Sequence, residues 1–191
     1  MSQPADIVAY VLDAWIARLA DDATGFNPAL AKILSGDDLY AIDFPPETPP
    51  DQAQSFIRGA VASIDRIIQS SSIRFPLMIV DIVRGSDARA GQYLKFQKFS
   101  GTLFGQCQVI ISWPEMAAQP DFATIPDATI AALYQAMNSL ALSQPDVYPG
   151  GIVYNGDLDF QITPTQFGAQ GWVRVITANC TFRFSTAVDL S

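Results

Sequence analysis

Residues 99–113, FSGTLFGQCQVIISW, alternate along their whole length. Successive side chains of a strand point to opposite faces. Phe99, Gly101, Leu103, Gly105, Cys107, Val109, Ile111 and Trp113 fall on one side and are all apolar or small. Ser100, Thr102, Phe104, Gln106, Gln108, Ile110 and Ser112 fall on the other and are mostly polar. At about 3.3 Å per residue such a strand approaches 50 Å, far beyond the usual five or six residues. A strand of that reach either bends around a small domain or extends out of it. Glycines at 101 and 105 permit a bend or the close approach of a neighbour. A second long alternation, 171–185, sets Trp172, Arg174, Ile176, Ala178, Cys180, Phe182 and Phe184 against a mostly polar or β-branched set.

Around these strands the pattern is helical at four places. Val8, Val11, Leu12, Trp15, Ile16 and Leu19 recur at three- and four-residue spacing and predict a helix over 5–20, with Pro4 in its first turn. A short helix over 27–34 follows, with Asn27 as its cap, Pro28 at its first position and Gly36 ending it. Ile130, Leu133, Tyr134, Met137 and Leu140 predict another over 126–142. FPPETPP at 44–50 is a rigid extended joint. Beyond it, Phe56, Ile57, Ala60, Val61, Ile64 and Ile68 fit a helical stripe over 51–69, interrupted by Gly59. RFPLMIVDIV at 74–83 is a strand, with Pro76 at its start or on an edge. RGSDARAG at 84–91 is a loop, and YLKFQKF alternates in the opposite phase, which places a bend near Gln97–Lys98. Tyr154-Asn155-Gly156 predicts a tight hairpin turn. The expected architecture is one α+β domain over 1–191. It has a mostly antiparallel sheet of four or five strands, helices on one face, a long β-hairpin, and a proline-rich joint with a helical insert at about 27–69.

Charge is divided along the chain. The net charge is −8. Residues 1–51 hold nine acids, among them Asp37 and Asp38, against Arg18 and Lys32. Residues 84–98 hold Arg84, Arg89, Lys95 and Lys98 against Asp87 alone. An acidic chain is a poor nucleic-acid binder, because such binding rests on phosphate neutralisation. The basic loop reads either as a solvated loop or as a surface for an acidic partner. In a homo-oligomer that partner is the acidic 1–51 region of a neighbour. These six residues, Arg84, Arg89, Lys95, Lys98, Asp37 and Asp38, are the candidate interface.

The same residues argue against most chemistry. Histidine is absent, which removes the commonest general base and zinc ligand. No phosphate-cradling glycine pattern and no G-x-S-x-G occur. No apolar run spans a bilayer, and MSQPADIVAY lacks the basic start of a signal peptide. Cys107 and Cys180 lie on apolar strand faces; they can pair, hold something soft, or act as small buried hydrophobes, the last being the ordinary case. Asp157 and Asp159 share a strand face near Tyr154 and offer a carboxylate pair, or simply the solvated side of an edge strand. Trp15, Trp113 and Trp172 sit on apolar stripes and read as core. Neither an enzymatic activity nor a cofactor is expected.

The order of elements resembles the tail-terminator proteins of long-tailed bacteriophages, also called tail-completion or neck proteins. IVAYVLDAWIARLADD, FPLMIV, FSGTLFGQCQVIISW, IPDATIAALYQAM and GWVRVITANCTFRF carry the likeness over nearly the whole chain. It is a likeness of element order and strand style, without a signature motif, and the 27–69 insert departs from it. The resemblance implies an α+β subunit that closes into a ring, usually a hexamer. That ring caps the tail tube and meets a head-connector or stopper protein, with DNA passing through. It implies a place in the virion neck, synthesis in the host cytoplasm and no reaction. The alternatives are another phage tail or head-completion component (tube, baseplate or stopper), and a carboxylate-based enzyme or binder at Asp157 and Asp159.

Overall fold

The structure is a computed structural model that describes residues 7–36, 40–44, 54–59, 64–70, 73–83, 98–113, 124–137, 141–142, 152–169 and 171–187. The elements run α1 (Ile7–Leu19), α2 (Phe26–Ile33), β1 (Gln54–Arg58), α3 (Ile64–Ile68), β2 (Ile73–Val83) and β3 (Lys98–Trp113). They continue with α4 (Thr124–Met137), β4 (Ala141–Leu142), β5 (Ile152–Ile162), β6 (Gln166–Gly168) and β7 (Gly171–Ala187). The strands form one sheet in the order β1-β2-β3-β7-β5-β4, with β6 pairing β7 off that path. β1 and β2 run parallel, and the other pairs are antiparallel. The α+β class and mostly antiparallel sheet are as the sequence predicts. The sheet has seven strands because β1, β4 and β6 add pieces of five, two and three residues, too short to show an alternation of their own.

β3 and β7 are the spine. They pair residue for residue from Lys98 opposite Ala187 to Trp113 opposite Trp172. The odd side of β3 and the even side of β7 together form the floor of the main core: Leu103, Cys107, Val109 and Ile111 beside Ile176, Ala178, Cys180 and Phe182. α1, α2 and α4 cover this floor, with Val11, Leu12, Trp15, Leu19, Phe26, Leu30, Ala132, Leu133 and Met137 buried against it. Gly105 explains itself here. A Cβ at that position would stand 2.6 Å from the Trp15 ring and 2.8 Å from both Cys180 Sγ and the Phe182 ring. The glycine is the seat of the indole. Trp15 meets Phe182 edge-on at 5.1 Å and donates its Nε1–H to Met137 Sδ at 2.9 Å.

Among the described residues, the opposite face is covered by a helix at one end. There α3 lays Ile67 and Ile68 on Leu77, Ile79, Ile110, Val173 and Val175. Helices therefore lie on both faces, three on one and a short one on the other. The predicted helix over 51–69 is corrected. Gln54–Arg58 is strand β1, Gly59 turns the chain at φ +91°, and a helix occupies only Ile64–Ile68. Phe56 and Ile57 fit a helical stripe equally well, but as a strand they face opposite cores, beside Phe44 and beside α3. Gly59 supplies the left-handed turn that a side chain adopts rarely, and its N–H bonds Val80 O at 2.8 Å.

Four smaller expectations also change. α2 begins one residue earlier, with Gly25 in the capping place. Asn27 does not cap: its amide brackets Ile42, donating to the carbonyl at 2.8 Å and accepting from the N–H at 2.9 Å. It thereby ties residues 40–44 across α2, while Ser55 Oγ accepts from Asp43 N–H and Arg74 pairs with the Asp43 carboxylate. Pro76 lies near the start of β2, the first of its two expected places, on an inner strand where the β1–β2 ladder is irregular and before β2–β3 pairing begins at Leu77. Residues 141–142 belong to β4, so the helix predicted through 142 is described only to Met137. Tyr154-Asn155-Gly156 makes no hairpin; both halves of β5 pair with β7 in one direction, and the extra residues are absorbed as an irregularity between Tyr154 and Leu158. The bend expected near Gln97–Lys98 and the loop 84–91 lie outside the described residues, apart from Lys98 at the start of β3.

The seat at Gly105 is testable. Gly105→Ala forces the indole or its neighbours to move, and overpacking of this kind costs about 1–3 kcal/mol. In a Trp15→Leu background the same substitution is expected to cost much less, since the atom it collides with is gone. Urea unfolding of the four proteins in this cycle measures the coupling; strictly additive effects would show that the ring does not set the glycine.

Candidate interaction face

The interface residues expected from the sequence fall at the margins of what the structure describes. Arg84, Arg89, Lys95, Asp37 and Asp38 lie outside the described residues, and Lys98 opens β3 with its backbone alone described. The connection that carries the basic residues leaves β2 at Val83, which pairs with Phe104. β3 begins six residues before that point, and over Lys98–Leu103 it pairs with β7. The length of β3 is thus matched inside the subunit on its β7 side. Of the two outcomes the sequence allows, a strand that extends out of the domain is not seen at that edge, where β7 accompanies β3 over its whole length.

What the structure brings together is the part of the second sheet face beyond α3. The register aligns rows of side chains across the strands. Leu77, Ile110 and Val175 form the apolar row under α3. The next row is Ile79, Gln108, Thr177 and Gln161. The row after it is Asp81, Gln106, Asn179 and Asp159. Phe104 and Thr181 follow, opposite each other. Within this field Gln106 Nε2 donates to Asn179 Oδ1 at 3.1 Å. Phe104 is 41% exposed, one of three large apolar side chains so exposed among the described residues, with Tyr134 on α4 and Phe167 on β6. A depression of about 320 Å³ opens beside the β5 irregularity, lined by Phe104, Gln106, Asp159, Asn179 and Thr181, with Gly105 and Cys180. Sequence reading placed Phe104, Gln106 and Gln108 on the polar side of their strand. It did not join them to Asn179 and Asp159, since that needs the register. The one available signal was Phe104 itself, an aromatic on an otherwise mostly polar face.

The other candidates resolve simply. Cys107 and Cys180 are free thiols, both buried. Burial pushes Cys107 up to about 12. Burial also raises Cys180, helped by the nearby Cys107 and opposed by a hydrogen bond from the Gly105 backbone. Such thiols are small hydrophobes, not nucleophiles. Among the described residues no group of three or more Cys, Asp or Glu is placed to hold a metal ion. Asp159 is exposed, and the side chains of Asp157 and Tyr154 lie outside the described set. Trp15 is core; Trp172 is half-buried against Phe167 at 5.3 Å; the Trp113 side chain is outside the described set. Among the described residues no helix is long and apolar enough to cross a membrane.

No family model matches the chain, and no curated protein matches it. Among solved structures it is similar to a chain described as the virion of native gene transfer agent (GTA) particle. The identity is 15% and the TM-score 0.37, covering 96% of this chain and 100% of that chain. A likeness this loose fixes neither fold nor function.

The buried thiols set a pH dependence. Their folded pKa values lie above the ordinary 9.0. Their contribution to stability is whole below that value and is lost as pH climbs from there toward the folded values, because the unfolded chain ionises first. Wild type should therefore lose stability above pH about 9 more steeply than Cys107→Ala/Cys180→Ala. In the native protein both thiols should react slowly with an aromatic disulfide reagent. Immediate reaction, or equal pH slopes, would contradict the burial argument.

Proposed function

We propose that this chain is a non-enzymatic structural subunit of a phage virion, and specifically a neck protein that forms a ring, a hexamer by family likeness, capping the tail tube and joining it to the head connector or stopper. The observation that carries the reading is the division of charge. A head-to-tail ring contact is heterologous, so two different patches on each subunit must match. Acidic 1–51 and basic 84–98 are such a pair on one chain. Opposite charge sets register and excludes wrong partners more than it adds affinity.

The fold is compatible with that role. The basic segment follows β2, the inner neighbour of the longest strands, and returns at Lys98 to a stretch of β3 that runs past the end of β2. A neighbouring subunit that meets this corner meets cationic side chains and strand backbone together, and main-chain pairing gives affinity where side chains give choice. The element order shared with tail-terminator proteins supports the neck over other positions in a virion. On this reading the subunit is made in the host cytoplasm, needs no cofactor, and leaves the DNA path to the ring's centre. Residues 1–191 then act as one domain.

Electron microscopy and light scattering of the purified protein, alone and with tail tubes, test this. Rings alone or at tube ends are expected. Reversal of Arg84, Arg89, Lys95 and Lys98 to glutamate should dissolve them. Adding Asp37→Lys and Asp38→Lys to that variant should restore part of the assembly, most at low salt, where surface charges are least screened. A strictly monomeric protein that never binds tube ends would overturn the ring. Incorporation elsewhere along the tail or at the head vertex would overturn the neck position and leave a different virion component.

A further inference from the structure

We propose that the depression on the open sheet face is a binding site for a neutral saccharide, with Phe104 as the stacking platform and Gln106, Asn179, Asp159 and Thr181 as the hydroxyl-reading groups. The composition of the site selects the ligand. Among the described residues that line it there are one carboxylate and no cationic side chain, a lining that answers hydroxyls better than phosphates, nucleotides or acidic peptides. An isolated carboxylate is also too poor in oxygens for calcium. What remains is an aromatic ring ringed by amide, hydroxyl and carboxylate groups. A pyranose ring has a C–H face that lies on an aromatic surface, and hydroxyls on its rim that both donate and accept. Amides and carboxylates answer that rim, since an amide offers both donors and an acceptor while a carboxylate accepts from two hydroxyls at once.

The groups are also held in place. Gln106 and Asn179 face each other on the two central strands and are bonded at 3.1 Å. That bond takes one Gln106 N–H and one Asn179 oxygen lone pair, so within the pair the Asn179 NH2 and the Gln106 carbonyl oxygen face a ligand with capacity to spare. Prior ordering of this kind lowers the entropy lost on binding. Asp159 stands directly opposite Asn179 on β5. The β5 irregularity between Tyr154 and Leu158 lies beside Thr181, and such interruptions commonly re-aim side chains next to binding sites. Size decides between occupants. About 320 Å³ suits one or two sugar rings. A stable contact with a second folded subunit buries about 800 Å² on each side, more than this depression presents.

Binding at this depression needs no ring, so its test is read independently of the charge-matched contacts. Saturation-transfer NMR on the intact protein, whatever its oligomeric state, would use methyl glycosides of glucose, galactose, mannose and N-acetylglucosamine, with inorganic phosphate and propanol as controls. At least one glycoside is expected to bind saturably in the millimolar range, about what a single ring on an open site supports. Phe104→Ala and Asn179→Ala should each weaken it about tenfold or more, and Phe104→Trp should retain or tighten it. Thermal midpoints recorded alongside separate loss of site from loss of fold. If a variant is unfolded, Asp159→Asn, at an exposed position, and Thr181→Ala, at a half-buried one, take its place with the same expectation. Absence of saturable transfer from every glycoside at about 100 mM would overturn the proposal. So would binding indifferent to these variants, equal competition by phosphate, or a face that is masked by self-association instead.

Discussion

The indole of Trp15 on the bare backbone of Gly105 is the contact around which the main core is assembled. It joins four elements at one point: α1 supplies the ring, β3 the gap, β7 the flanking Cys180 and Phe182, and α4 the sulfur of Met137 that accepts the indole N–H. A large aromatic with one polar atom is buried at little cost only when that atom finds a partner and the ring finds a space its own shape. Both conditions are met here. Because the gap must lie under the ring, the position of α1 along the sheet is set by the position of a glycine in β3. Arg18, one turn further along α1, then reaches the Ala136 carbonyl near the end of α4 at 2.9 Å and fixes the second helix relative to the first.

The spine of β3 and β7 divides the molecule into unlike halves. One face carries the main apolar core and is roofed by three helices. The other changes character along the strands. It is apolar where α3 covers it and polar with one exposed aromatic beyond. Two long strands in full register make this possible, because every row across them carries one side chain from each to the same face. The half beyond α3 stands on central strands, and Phe104 is exposed there. Rigid elements hold a binding constellation more closely than loops do.

Assembly is assigned to the charge contrast between 1–51 and 84–98, and ligand recognition to the polar field around Phe104. The two thiols take part in neither: they are held protonated by burial, in the floor of the core rather than at a surface.

Side-chain alternation and helical spacing were legible in the residues alone, because each is a local consequence of backbone geometry. They placed α1, α2, α4, β2, β3 and β7, and assigned the buried side of both long strands. They failed where a short segment fits two periods, as at Phe56 and Ile57, and where a turn-forming tripeptide is absorbed within a strand, as at Tyr154-Asn155-Gly156. Local spacing is indifferent to which strand lies alongside. Only tertiary pairing decided that Asn179 stands opposite both Gln106 and Asp159, that α3 lies on the far face, and that the glycine at 105 exists to admit a ring ninety residues away in the chain. Periodicity is written residue by residue, whereas register and close approach are settled by packing between parts of the chain that the sequence leaves far apart.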